Sequence, residues 1–183
     1  MNHCLLLIDL QNDYFPGGKM ELAGMEQAAK NACLLLTEFR NNKLPVIHIQ
    51  HIAAARGASF FIPGTDGAEI NAGVAPLAHE NIIVKHYPNS FHHTSLLETL
   101  QKMQIDQLVM CGAMSHMCID ATVRAAFDLG FQCVVAEDAC ATRDLVFQNR
   151  PIKSPDVHAA FMAALSFPYA KIASTKDIVK SLA

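Results

Sequence analysis

Long apolar runs, paired cysteines and clustered charge are all scarce in this chain of 183 residues. The N-terminal apolar stretch, Cys4 to Ile8, is far too short for a membrane span and has no basic residues ahead of it, so neither a signal peptide nor a membrane anchor is expected and the cytoplasm is the expected compartment. Six cysteines at positions 4, 33, 111, 118, 133 and 140 include no Cys-x-x-Cys pair, which argues against a disulfide framework and leaves most of them as buried thiols. Lysine and arginine are scattered, and the formal net charge is only -3, so no basic surface for nucleic acid is expected. Linkers, repeats and low-complexity tracts are missing too. About half the residues are apolar, enough for the core of one domain spanning 1–183.

What is present is an alternation of two patterns. Continuous apolar runs of the kind found in doubly buried strands cover Cys4 to Asp9, Pro45 to Gln50, Ile82 to Lys85, Gln107 to Gly112, Cys133 to Glu137 and Lys171 to Ser174. Helical periodicity covers Met25 to Asn42, Thr94 to Met103, Cys118 to Leu129 and Ser154 to Leu165, with a last helix from Thr175; His92 and His93 are placed at a helix opening. Strand and helix in regular succession predict an α/β fold, a three-layer Rossmann-like arrangement with a six-stranded parallel sheet flanked by helices. The stretch from His51 to His79 carries four glycines and reads as a lid or an oligomer contact, with Phe60 and Phe61 as a pocket wall or as plain loop packing.

Ligands of open parallel sheets bind beyond the carboxyl ends of the strands, which singles out three reactive side chains. Asp9 ends the first strand, Lys85 ends the third, and Cys118 follows the fourth at the start of a helix, where free N–H groups and the helix dipole favour a thiolate. Lys85 would lower the thiol pKa further, Asp9 could carry the proton from the thiol to a leaving group, and the turn's N–H groups could hold an oxyanion. Each also has a plain structural reading: a turn cap, a strand-end lysine, a small core residue.

Three segments carry a family resemblance that runs nearly end to end. Leu7-Ile8-Asp9-Leu10-Gln11-Asn12-Asp13-Tyr14-Phe15, Lys85 followed by Asn89-Ser90-Phe91, and Cys111-Gly112-Ala113-Met114-Ser115-His116-Met117-Cys118-Ile119-Asp120 are together similar to the isochorismatase-like hydrolases, a superfamily that includes nicotinamidases and N-carbamoylsarcosine amidases. The resemblance implies a catalytic triad of Asp9, Lys85 and Cys118. It also implies a cis Ala113-Met114 bond, an oxyanion hole from the N–H groups of Met114 and Cys118, and substrate contacts from Phe15, Ser90 and Phe91. His116, inside the nucleophile turn, is a further substrate-facing candidate, and its Met-Ser-His-Met-Cys setting resembles a streptothricin-hydrolase-like branch. Asp138 is expected to hold loops.

The implied reaction is hydrolysis of a small-molecule amide through a thioester, without a cofactor. Nicotinamidases carry a metal-binding Asp and His cluster after the second strand. Here the corresponding stretch, His48-Ile49-Gln50-His51, lacks the Asp and puts its two histidines on opposite strand faces, so no metal is expected. A homodimer or homotetramer is expected. Vinyl ether hydrolysis, a non-catalytic binding module and a redox-sensing thiol are the other readings of the same residues.

Overall fold

The structure is a computed structural model that describes residues 2–182. Strands β1 (His3–Ile8), β2 (Val46–His51), β3 (Asn81–Lys85), β4 (Gln107–Ala113), β5 (Gln132–Ala141) and β8 (Lys171–Ala173) form one sheet in the order β3-β2-β1-β4-β5-β8. Every neighbouring pair in it is parallel. Two short strands, β6 (Leu145–Phe147) and β7 (Arg150–Ile152), make a separate antiparallel hairpin.

Among the described residues, five α-helices cover the two faces: α1 (Met25–Asn41), α2 (Leu96–Lys102), α3 (Asp120–Asp128), α4 (Ser154–Leu165) and α5 (Thr175–Leu182). Alternation along the strands divides the core. Leu5, Leu7, Val109 and Cys111 face α1 and α5, while Leu6, Ile8, Leu108 and Met110 face α2, α3 and α4. Helix α1 shows why the long helical pattern was readable: Met25, Ala28, Ala29, Ala32, Leu35, Leu36 and Phe39 lie on one buried stripe at helical spacing. At roughly 1.5 to 3 kcal/mol for each large apolar side chain buried, such a stripe outweighs the modest propensity differences along the helix.

The chain builds outward from β1 to β2 and β3, then returns to lay β4 on the other side of β1. The switch point of the sheet therefore lies between β1 and β4, where a crevice opens at the carboxyl ends. Gly112 permits the close approach there. It has φ 126°, and a Cβ at that position would lie 1.9 Å from the Ile8 carbonyl oxygen.

Several expectations need correction. The helix expected from Cys118 begins as a wide π turn, Ser115–Ile119, in which the Ile119 N–H donates to the Met114 carbonyl at 3.2 Å, and α3 proper starts at Asp120. The helix expected from Thr94 starts at Leu96, so His92 and His93 lie in the turn before it. β5 runs four residues beyond the expected Glu137, to Ala141, with a register shift against β4 between Met110 and Gly112. The β6–β7 hairpin was not expected at all.

Candidate active site

Three strand ends deliver the expected side chains to the switch point. Asp9 follows β1 in the left-handed region at φ 54°, a conformation that aspartate tolerates better than bulky residues and that turns the chain at the sheet edge. Lys85 is the last residue of β3, and Cys118 comes from the π turn after β4. All three are buried, Asp9 and Lys85 completely.

The Lys85 ammonium donates to Asp9 Oδ2 at 2.7 Å and to His51 Nδ1 at 3.1 Å, with the carbonyls of Tyr87 and Pro88 at 3.2 and 3.4 Å. This explains how a buried lysine stays charged: burial alone would lower its pKa, but the charge of Asp9 and the hydrogen bonds outweigh it and raise the value. His51 goes the other way. Burial, with Lys85 adding to it, takes its pKa down to about 4, so at neutral pH the ring is an uncharged acceptor for the ammonium.

Asp9 Oδ1, by contrast, is buried with no hydrogen-bond partner. The Cys118 sulfur lies within 4.8 Å of the Asp9 and His51 donor atoms, which places a proton acceptor beside the thiol. The sequence reading of a depressed thiol pKa is overturned here. Burial pushes the Cys118 thiol well up and the Asp9 charge adds to it, against the opposing pull of Lys85, so the resting group is a thiol beside a carboxylate.

The remaining candidates divide. Ala113-Met114 is cis, as the resemblance implied. Ser90 is fully buried and its hydroxyl pairs with that of Thr122 at 2.9 Å. Phe91 stacks on Phe131 at 6.1 Å in the core between the sheet and α2 to α4. Phe15 packs at the edge of the opposite core and borders a groove with Asp13, Lys19 and Asp66, none of them a triad residue. His116 Nδ1 lies 2.6 Å from Thr142 Oγ1, and its ring meets Phe161 edge-on at 6.0 Å. Asp138 accepts from the N–H and hydroxyl of Thr175, both at 2.7 Å, and so fastens α5 to β5.

Sequence reasoning missed three neighbours of the triad. His51 was weighed only as a metal ligand with His48, yet the structure separates the two: His48 Nε2 donates to Glu80 Oε2 at 3.0 Å, while His51 joins Asp9 and Lys85. Gln11 holds His51 in place, accepting from its N–H at 2.7 Å and donating to its carbonyl at 2.8 Å and to that of Ala68 at 2.7 Å. Tyr14 is buried beside the triad, and burial, with the Asp9 charge adding to it, raises its pKa. The one available signal was Gln11 and Tyr14 lying within five residues of Asp9.

The segment between β2 and β3 closes over this group. Asp13 accepts from the Phe61 N–H at 2.6 Å and from the Lys19 N–H at 3.1 Å, and Phe61 is fully buried against Tyr14, with ring centroids 4.6 Å apart. Asp9, His51 and Cys118 offer three donors of the kind that hold a divalent ion. They do not fit one as arranged, because the Lys85 ammonium already lies on Asp9 and His51 and would repel it.

The family model for the isochorismatase domain matches residues 3–177. An uncharacterized isochorismatase family protein of Bacillus subtilis, YddQ, is 52% identical over 98% of this chain and 100% of its own length. A crystal structure of a putative isochorismatase hydrolase from Oleispira antarctica superimposes with a TM-score of 0.95 at 49% identity, covering 98% of this chain and 96% of that one. Relatives with named activities are more distant. Streptothricin hydrolase of Streptomyces noursei is 30% identical over 88% of this chain and 55% of its own length, and maleamate amidohydrolase of Pseudomonas putida is 26% identical over 97% and 85%.

Proposed function

This chain belongs to the isochorismatase family, and on that premise we propose that it is a cysteine-dependent hydrolase that cleaves the carbon–nitrogen bond of a small-molecule amide through a thioester on Cys118. The observation that carries this reading is the split role of one buried carboxylate. Asp9 Oδ2 is committed to Lys85, while Asp9 Oδ1 is buried without a hydrogen-bond partner, and the carboxylate as a whole lies within 4.8 Å of the thiol sulfur.

The steps follow from that geometry. Cys118 Sγ attacks the amide carbonyl carbon as Asp9 takes its proton, so charge never rests on a buried free thiolate. The carbonyl oxygen becomes an oxyanion facing the N–H groups of Met114 and Cys118, the assignment implied by the family resemblance. Collapse breaks the carbon–nitrogen bond, and the amine leaves with the proton from Asp9. Water then gives a proton to Asp9 and attacks the thioester carbon, the carbon–sulfur bond breaks to release the acid, and the Cys118 sulfur takes the proton back from Asp9 as it leaves. Lys85 stays charged throughout and keeps its hydrogen bond to Asp9 Oδ2. His51, uncharged, orients the ammonium without competing for the proton.

The family includes amidases, with maleamate amidohydrolase among the chain's relatives, and the thiol–carboxylate pair supports amide rather than vinyl ether cleavage. The test is release of ammonia or amine from a panel of small amides, with Cys118→Ala as control. Turnover by the native chain and none by the variant is the expected result; equal turnover by both would remove the thioester from the account.

A further inference from the structure

The turn that carries Cys118 is held from outside by a histidine that the proposed reaction does not use. Within the turn, the Met114 carbonyl accepts from the Met117 and Ile119 N–H groups at 3.0 and 3.2 Å. Side chains fasten it to its surroundings. Ser115 is fully buried, with its hydroxyl oxygen 3.3 Å from the Ala141 carbonyl at the end of β5 and 2.9 Å from His158 Nδ1 on α4. His116, next along, meets Thr142 Oγ1 at 2.6 Å and the Phe161 ring edge-on at 6.0 Å.

His158 stands where the helical pattern calls for an apolar residue. His158, Phe161, Met162 and Leu165 fall at spacings of three and four along α4, and Met162 and Leu165 belong to the same core as Cys118 and Ile119. The imidazole is half-buried and burial lowers its pKa, so at neutral pH it carries a single ring proton. A carbonyl can only accept, so the Ser115 proton goes to Ala141 and the serine oxygen is left to accept. All three groups are then satisfied with the ring proton on Nδ1.

We propose that His158 is a positioning residue: its Nδ1–H holds the Ser115 hydroxyl, and through it fixes the spacing of the Met114 and Cys118 N–H groups and the place of the Cys118 sulfur beside Asp9. The inference rests on the amidase reading above and deepens it, because Ser115 lies in the chain between the two N–H groups assigned to the oxyanion. Such alignment counts in the transition state, where the oxyanion exists, and much less in the bound substrate. Its loss therefore falls on kcat and leaves KM nearly unchanged. A ring that only filled space could be replaced by leucine without that signature.

His158→Leu, His158→Asn and His158→Gln separate the hydrogen bond from the volume. The Asn amide carries a donor at about the reach of Nδ1, whereas that of Gln extends toward the place of Nε2. With the fastest amide of the panel, His158→Leu should lower kcat about 10- to 100-fold with KM within about twofold, as a misplaced reacting group does. His158→Asn should recover most of that loss and His158→Gln little of it. Alkylation of Cys118 by iodoacetamide, followed by mass spectrometry against the partly exposed Cys33, reads the same turn without turnover. The thiolate displaces iodide, so a sulfur moved away from the carboxylate that takes its proton should react several-fold more slowly in His158→Leu and regain its rate in His158→Asn.

Native kcat and alkylation rate in His158→Leu, faster alkylation in that variant, or equal losses in the Asn and Gln variants would each overturn the role. If His158→Leu does not fold, the Asn and Gln pair decides alone. If amide hydrolysis proves independent of Cys118, the amidase reading fails, and the alkylation rates still decide whether His158 holds the turn.

Discussion

Asp9 is asked to do two things at once, and its two oxygens divide them: one holds a permanent cation and the other is left free to take a proton. Replacing Asp9 by Asn keeps the shape and removes both functions, so turnover should fall by about 10²- to 10⁴-fold, the usual worth of a positioned acid–base group. Lys85→Met has a different signature. It strands a buried carboxylate, which should cost about 3–5 kcal/mol in a urea titration, and it removes the one charge that lowers the Cys118 pKa, so alkylation of Cys118 should need a higher pH. A variant as stable as the native chain, with an unshifted alkylation profile, would show that the ion pair does not govern the site. Asp9 and Lys85 were legible because each ends an apolar run, and Cys118 because it follows one at the opening of a helical pattern, positions that sequence reports directly. His51 and Gln11 were not, because their roles depend on β2 lying beside β1 and on a side-chain amide reaching 40 residues along the chain.

Elements differ in how much of their shape the sequence carries. α1 has seven buried residues at helical spacing and was legible to within one residue. The β6–β7 hairpin was invisible because its strands have three residues each, one contains Pro151, and both faces are largely exposed. Its turn has Gln148 and Asn149 at φ 49° and 61°, where the usual sequence signal would be Asn-Gly. The 53–79 stretch reads as structureless because its order comes from outside it, chiefly from Asp13 and Gln11. Asp13→Ala should therefore loosen that stretch while leaving the sheet intact. In native-state hydrogen exchange, the Phe61 and Lys19 amides should lose protection and those of β1 and β4 should not. Unchanged protection at Phe61 would mean that aromatic packing on Tyr14, and not the carboxylate, holds the segment.

The whole molecule should be acid-sensitive for a reason that can be signed in advance. His48, His51, His116 and His158 all have pKa values lowered by burial, His51 to about 4 from an ordinary 6.5. The unfolded chain then takes up protons first as pH falls, so the stability these groups contribute is complete above about 6.5 and is lost on the way down to the folded values. Glu80, held at about 2 by Arg40, a backbone N–H and His48, extends the loss below the ordinary carboxylate range. Calorimetric melting temperature should be flat above neutrality and decline from about pH 6.5 downwards; a rise on acidification through that window would contradict the assignment of neutral buried histidines. The sheet order explains why such different groups share a fate, since β2 carries both His48 and His51 and joins the surface cluster at Glu80 to the site at Asp9. The most direct test of the central claim is to quench the turnover of the fastest amide in acid and weigh the peptide that carries Cys118. The account predicts a mass increase equal to the amide less its amine, confined to Cys118 and lost in Cys118→Ala along with activity. Continued hydrolysis by Cys118→Ala, with no acyl mass on the native peptide, would contradict it.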